Sequence, residues 1–401
     1  MQTLATRQYC YLYGIRLCSS ATVWLDFILI FSTLTFIFDA EAHTLALAAA
    51  LYGVPSLIFG PYIGSLPDRY SPRAIIAVSF CIRAITAICL LLASNVELFL
   101  LFISLKGLSN LGSTPAEIVL TARLLPPQSI IKNTSLVSIT DQTIKIIAPL
   151  AAGLSITWSN STYGFLISAG ISLNGLIFVW LLSSQKIHAE NFGKTKHKPN
   201  LNEVLKFFVS NTAAQAFLLC MLVQSAALGI YDSLLSLFMK ELSLSSASFG
   251  QVVSATAIGG IIAGLAFPQI YRRHFLLCAT VASSIFGVCL CVVATVGLIP
   301  EIITPYSFPI LFLIAGFSYG LTSQGFTSTL QLTCPSRILG TAFSTARSCA
   351  VSLFIVLPAA GAWLAGITST ASVIMTAGLL TLMSAGILHI YYLTREASDI
   401  S

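Results

Sequence analysis

The chain has 401 residues, of which 56% are hydrophobic and 8% charged. A soluble domain carries roughly 25% charged residues, so this composition excludes an ordinary water-soluble enzyme or binding module and fits a polytopic membrane protein. The formal net charge of +6 matters less than where the charges fall.

A bilayer span needs about 20 apolar residues. Twelve segments meet that length, approximately 13–38, 43–65, 74–94, 97–121, 136–157, 162–183, 212–239, 247–270, 275–298, 307–331, 341–366 and 370–393. The expected fold is all-α, with twelve transmembrane helices in two pseudo-symmetric six-helix halves. The N-terminal half spans residues 1–183, a basic linker covers 184–211, and the C-terminal half spans 212–401. Met1–Arg16 leads directly into an apolar span and has no cleavable signal pattern. The ten cysteines contain no CxxC pair and sit mostly inside apolar spans. They read as reduced packing residues, with neither a disulfide frame nor a metal site expected.

Between the second and third apolar runs lies a short polar interruption, Gly60 to Arg73. There Gly64 allows two helices to approach, Pro67 and Pro72 fix a tight turn, and Asp68, Arg69 and Arg73 return the chain to water. Arg123 and Lys132 flank the next loop on that side. The linker lysines Lys186, Lys194, Lys196, Lys198 and Lys206 follow, then Arg272, Arg273, Arg337 and Arg395. The opposite loops hold Lys240 as their sole base, with Asp39, Glu41, Glu97, Glu241 and Glu301. By the positive-inside bias, both termini are expected in the cytoplasm of a multi-pass protein of the cytoplasmic (inner) membrane. The linker ends in Leu201, Val204, Leu205, Phe207 and Phe208. That spacing suits either a helix lying in the inner membrane surface or the solvated start of span seven.

The halves read as weak copies of each other. Span five contains Pro149 and Gly153, and span eleven contains Pro358 and Gly361, each pair in an Ala-rich setting and expected to serve helix packing. The order Gly64, Asp68, Arg69, Arg73 resembles the loop signature of the major facilitator superfamily, with Ala74 where a final base is usual. That resemblance implies a transporter whose site lies near mid-membrane between paired six-helix halves. Residues 20–155 are similar to the macrolide-efflux and enterobactin-exporter branch, a proton-driven efflux group. Asp26 matches its span-one acid, Pro115, Ala116, Pro126, Pro127 and Asn133 match its loop, and Ala148, Pro149 and Gly153 are similar to its span-five signature. Lys106 and Gly107 occupy the region of its span-four Arg motif.

A charge inside a span costs at least a few kcal/mol and normally faces a cavity or a partner. The acids Asp26, Glu117, Asp141 and Asp232 qualify, as do the bases Arg83, Lys106, Lys145 and Arg347. The resemblance places spans one, four, seven and ten around the cavity, which makes Asp26, Glu117 and Asp232 proton-coupling candidates. Lys106, Gln224, Tyr319, Gln324 and Gln331 become substrate-cavity candidates. Asp26 is either a proton carrier or half of a permanent ion pair, and Lys106 either binds an anionic solute or serves as that structural partner. Lys106 and Glu117, three helical turns apart, should share a face. Asp141 and Lys145, spaced i, i+4, can satisfy each other. Gly64, Asp68, Arg69, Arg73 and Arg123 form the candidate gating loop, with Asp68 meeting the N-terminal end of span eleven and pairing with Arg123.

No nucleotide-binding glycine loop and no nucleophile–base set appears. An enzyme is not expected, and neither is a cofactor or a nucleic-acid partner. The expected partners are a small-molecule substrate, the lipid bilayer and protons as coupling ion, with the chain acting as a monomer. The favoured function is proton-coupled efflux of an amphipathic compound, a drug-like molecule or a siderophore, by alternating access. Uptake of a small metabolite and a non-transporting receptor or scaffold are the alternatives.

Overall fold

The computed structural model describes residues 6–159, 162–182, 201–244, 246–273, 275–299 and 306–400. Helix follows helix, because a backbone in lipid must satisfy every N–H and C=O within its own segment. The first group is α1 (Thr6–Phe36), α2 (Ala42–Gly64), α3 (Leu66–Arg69), α4 (Pro72–Leu92), α5 (Val96–Leu111), α6 (Ser113–Leu124), α7 (Pro127–Ser159) and α8 (Thr162–Leu181). The second is α9 (Leu201–Ser210), α10 (Thr212–Tyr231), α11 (Leu235–Glu241), α12 (Ser246–Arg273), α13 (Phe275–Leu298), α14 (Ser307–Thr333), α15 (Leu339–Ile367) and α16 (Thr370–Ile400).

Among the described residues, eleven helical stretches are long and apolar enough to cross a membrane. The expected fifth span is the exception. It lies in α7, which at 33 residues has the length, but Lys132, Asp141, Lys145 and their polar neighbours lower its hydropathy. Two spans are broken. Span four divides at Gly112 into α5 and α6, and span seven passes through a 3-10 turn at Asp232–Leu234 between α10 and α11. The break at Gly112 falls between Lys106 and Glu117, so the single continuous helix expected to carry both is two helices. Discontinuous spans of this kind often mark ligand sites in transporters.

The linker lysines Lys186, Lys194, Lys196 and Lys198 lie outside the described residues, as do Glu301 and the side chains of Arg272, Arg273 and Arg395. The end of the linker is a helix in its own right. Asn211 separates it from α10 by accepting a hydrogen bond from the Ala214 N–H at 2.8 Å, an N-cap. In α9, Val204 and Phe208 are buried while Leu201, Leu205 and Val209 are exposed.

Two compact units emerge from the packing. One comprises Met1–Ile130, Thr143–Val204 and Cys334–Ser348, and the other Ile131–Gln142, Leu205–Thr333 and Cys349–Ser401. Inside the first, α2 packs on α5, α4 on α8, α1 on α8 and α4 on α5. Inside the second, α12 packs on α14, α13 on α16, α10 on α16 and α13 on α14. In span order these are the same four pairings, 2–4, 3–6, 1–6 and 3–4, repeated six spans later. Close approach relies on small residues. A Cβ at Gly107 would stand 2.5 Å from the Tyr52 carbonyl oxygen, and one at Gly316 would stand 2.1 Å from that of Thr256.

The first unit has an apolar core of Leu25, Leu29, Ile30, Phe99, Ile103 and Phe165. The second has one built on Tyr231, Phe238, Phe286, Leu290, Phe308 and Ile374. Large apolar side chains such as Ile58, Leu92, Trp158, Trp180 and Trp363 are exposed, as suits a surface solvated by lipid.

Candidate functional site

The first unit buries a polar cluster between α1, α4, α5, α6 and α8. Asp26, on α1, is 1% exposed, and Lys106, on α5, is fully buried. The Lys106 ammonium meets Asp26 Oδ2 at 2.8 Å and donates a second bond to the Arg83 carbonyl at 2.9 Å. The other Asp26 oxygen, Oδ1, accepts from the Ser168 hydroxyl of α8 at 2.5 Å. Thus two sequence-derived candidates meet, and the aspartate is held from two helices.

A second layer lies beside the first. Glu117, on α6, is 5% exposed and is paired with Arg16 of α1 at 2.9 Å. The Arg83 guanidinium, on α4, donates to Ser19 Oγ at 3.0 Å, Thr22 Oγ1 at 3.2 Å and Ser113 Oγ at 2.5 Å. Its Cζ lies over the Phe80 ring, 5.6 Å from the ring centre. Asn110 donates to the Tyr52 hydroxyl at 2.9 Å, and Tyr52 packs edge-on against Phe27. The Lys145 ammonium lies over the Trp24 ring, 5.3 Å from its centre. Arg83 is one of the four in-span bases that the sequence marks as needing a cavity or a partner, and Ser168 carries no signal in the sequence, because hydroxyl residues are common in apolar helices. Arg16 lies near the start of the first span, and its long stem lets it reach inward to Glu117.

The second unit holds polar residues of another kind. Gln224, on α10, is fully buried and donates to Ser283 Oγ at 3.1 Å and Thr322 Oγ1 at 3.2 Å. Gln324, on α14, is 3% exposed, and neither amide atom has a hydrogen-bond partner among the described residues. Ser328, one turn on, is also buried with its hydroxyl unpartnered there. Gln331 accepts from Thr134 at 3.4 Å. Tyr319 is partly buried against Phe286. Asp232 differs from expectation: it is exposed, at the 3-10 turn that interrupts span seven.

The loop after α2 has well-defined contacts. Asp68 Oδ1 accepts from the Gly340 N–H at 2.7 Å, and Oδ2 accepts from the Thr341 N–H at 2.8 Å and the Thr341 hydroxyl at 2.6 Å. A carboxylate on the first N–H groups of α15 matches the positive end of that helix. A Cβ at Gly64 would fall 2.0 Å from Ser344 Oγ, so only glycine permits this approach. Arg123 donates to the Pro67 carbonyl at 3.4 Å. Arg73 turns elsewhere and donates to the carbonyls of Val179 and Trp180 at the end of α8, while Arg69 is exposed. Of the packing residues, Gly361 lies against the Ile230 carbonyl, where a Cβ would come within 2.0 Å. Gly153 differs from expectation, since a Cβ there would meet nothing within 4 Å. Pro149 and Pro358 lie inside α7 and α15.

The family model for the Major Facilitator Superfamily matches residues 12–356. The chain belongs to the Major Facilitator Superfamily. This superfamily member is therefore a multi-pass membrane transporter of small molecules and not an enzyme. It is 25% identical over 378 residues to the MFS-type transporter YfiS of Bacillus subtilis (strain 168), a match covering 91% of this chain and 88% of that one. Its fold is similar to a crystal structure of a bacterial homologue of the iron transporter ferroportin in an outward-facing state. The TM-score is 0.76 at 17% identity, with 96% of this chain and 99% of the other covered. It is also similar to the human organic anion transporter MFSD10 (TETRAN), with a TM-score of 0.75, 12% identity, and 96% and 100% covered. At these identities the structural likenesses carry the fold alone. Among the described residues, no group of three or more His, Cys, Asp and Glu side chains is placed to hold a metal ion.

Proposed function

We propose that this transporter exports an amphipathic organic solute in exchange for protons, by alternating access. The observation that carries the reading is the Asp26–Lys106 pair, buried inside two spans at 2.8 Å. In a member of a transporter family, a carboxylate buried this deeply is a natural place to take and release a proton. Ionised, Asp26 is held by Lys106 and Ser168. Protonated, it loses its charge, and the ammonium is freed to turn to another acceptor. Each step changes which contacts are favourable, as coupling requires.

Glu117 and Arg16 form a second such pair and offer a relay for the proton, with exposed Asp232 as a further coupling candidate. Gln324 supports a solute contact, because a buried amide left unpaired costs about 1–3 kcal/mol unless something visits it. Gln224, Gln331 and Tyr319 extend that polar lining. The bonds from Asp68 to Gly340 and Thr341 form a latch that opens and closes in each cycle, with Gly64 fixing the approach. Export, and a drug-like or siderophore solute, are supported by the resemblance of residues 20–155 to the macrolide-efflux and enterobactin-exporter branch. The basic loops support cytoplasmic termini in the inner membrane, and nothing in the scheme needs more than one copy.

The test is solute movement in proteoliposomes under an imposed pH gradient, across hydrophobic drugs and iron chelators. The proposal expects solute to leave the compartment facing the termini as protons enter it, and to stop when a protonophore collapses the gradient. Movement indifferent to the gradient contradicts proton coupling. Movement in the opposite direction favours metabolite uptake by the same fold. A folded protein that moves nothing favours the receptor or scaffold.

A further inference from the structure

Four charged side chains are buried among the described residues: Asp26, Glu117, Arg83 and Lys106. Their number balances, but their pairing does not. Lys106 takes Asp26. Glu117 is taken by a fifth residue, Arg16, whose side chain is 21% exposed. Arg83, among the largest fully buried side chains, is left with neutral acceptors only. These are the hydroxyls of Ser19, Thr22 and Ser113 and the Ser19 carbonyl at 3.5 Å. Its Nε has no hydrogen-bond partner among the described residues. The five side chains together carry one surplus positive charge.

A guanidinium never gives up its proton, and its donors form a planar fork that matches a carboxylate edge to edge. Burying that fork against hydroxyls alone is unfavourable unless an anion shares the site during part of the working cycle. The local backbone suits the same ligand. Span four breaks beside Arg83, and α6 starts at Ser113 with no acidic residue in its first turn and no side-chain cap. Helix ends inside broken spans attract anionic substrate groups, and Ser113 already touches the guanidinium.

We propose that Arg83 and the Ser113 end of α6 form an anion subsite, and that the solute carries a carboxylate or similar oxyanion. This rests on the transporter reading above and narrows its substrate to organic anions. The arriving carboxylate takes Nε and one Nη of Arg83 side by side, displaces the weaker hydroxyl acceptors and cancels the surplus charge. Asp26 and Lys106 stay paired with each other and remain available to the proton. Arg83 is thus the specificity-determining residue, on span three, outside the four spans that the resemblance places around the cavity.

The test is binding to purified full-length protein in detergent, with three probes that share one ring system and differ in charge: naphthoate, naphthamide and naphthylmethylammonium. Wild type should bind naphthoate more tightly than the other two by about tenfold or more. Arg83→Lys keeps the charge without the fork and should retain part of that preference, while Arg83→Gln should abolish it. If Arg83→Gln does not fold, Arg83→Lys decides, since an undiminished preference there overturns the fork. Equal binding of the three probes, no naphthoate binding to folded wild type, or a preference unchanged by both variants also overturns the proposal. Proton-driven movement of solutes without any preference for anions removes the subsite and leaves the transporter reading intact. A naphthoate preference lost in Arg83→Gln, in a protein showing no proton coupling, keeps the subsite and removes the proton-coupled reading.

Discussion

Lys106 has no exposed surface, and among the described residues its only ion pair is with one oxygen of Asp26. Such a pair is weak evidence of stability, because both ions gave up water to form it. Removing one partner is another matter, since the survivor is left charged and buried. Lys106→Met is expected to destabilise the protein by about 3–5 kcal/mol. Combining it with Asp26→Asn should recover much of that loss. Unfolding in detergent, read as a double-mutant cycle, checks this, and additive losses would mean that the two side chains are not coupled. At this scale the sequence was half legible. Asp26 and Lys106 each interrupt an apolar run, which marks them as buried charges in need of a partner. That they meet one another, and that Ser168 joins them, depends on the packing of α1 against α8 and α5, which no local spacing encodes.

The helix start at α15 and the loop after α2 are held together by three bonds to one carboxylate. Hydrogen bonds to a charged group contribute about 1.5–3 kcal/mol each. Nearby Cys334 is buried, and that burial, with the Asp68 carboxylate beside it, pushes its thiol up to about 12. In a variant where Cys334 is the sole cysteine, maleimide should label it slowly at neutral pH, because little thiolate exists and little is reachable. Adding Asp68→Asn loosens the loop and should speed labelling by roughly tenfold, the response to losing about 1.4 kcal/mol. An unchanged rate would show that Asp68 does not hold this segment closed. The Gly64, Asp68 and Arg73 pattern was readable because a tight turn between spans needs glycine, proline and charge. The turning of Arg73 to the end of α8 was not readable, since a long arginine reaches whichever carbonyls packing brings near.

Across the whole molecule, the same four helix pairings recur in both units six spans apart. Composition and span counting were enough for an all-helical chain of consecutive spans, because lipid leaves a hydrophobic chain little choice, but the pairings between spans were not readable from them. The exception was α7, whose polar first half lowers its hydropathy without ending the helix. Function is less evenly distributed than the fold. The buried charges belong to the first unit, while the second offers neutral amides and hydroxyls such as Gln224, Gln324 and Ser328. The central claim is that Asp26 carries the coupling proton, and it is tested most directly by comparing two modes of transport in Asp26→Asn. Asparagine mimics the protonated acid in shape and charge, yet has no proton to release. Solute exchange at equal pH on both sides requires no net proton movement, whereas accumulation against a solute gradient does. The account predicts that Asp26→Asn proteoliposomes keep exchange and lose gradient-driven accumulation. Accumulation at the wild-type level in that variant would contradict it and place the proton elsewhere.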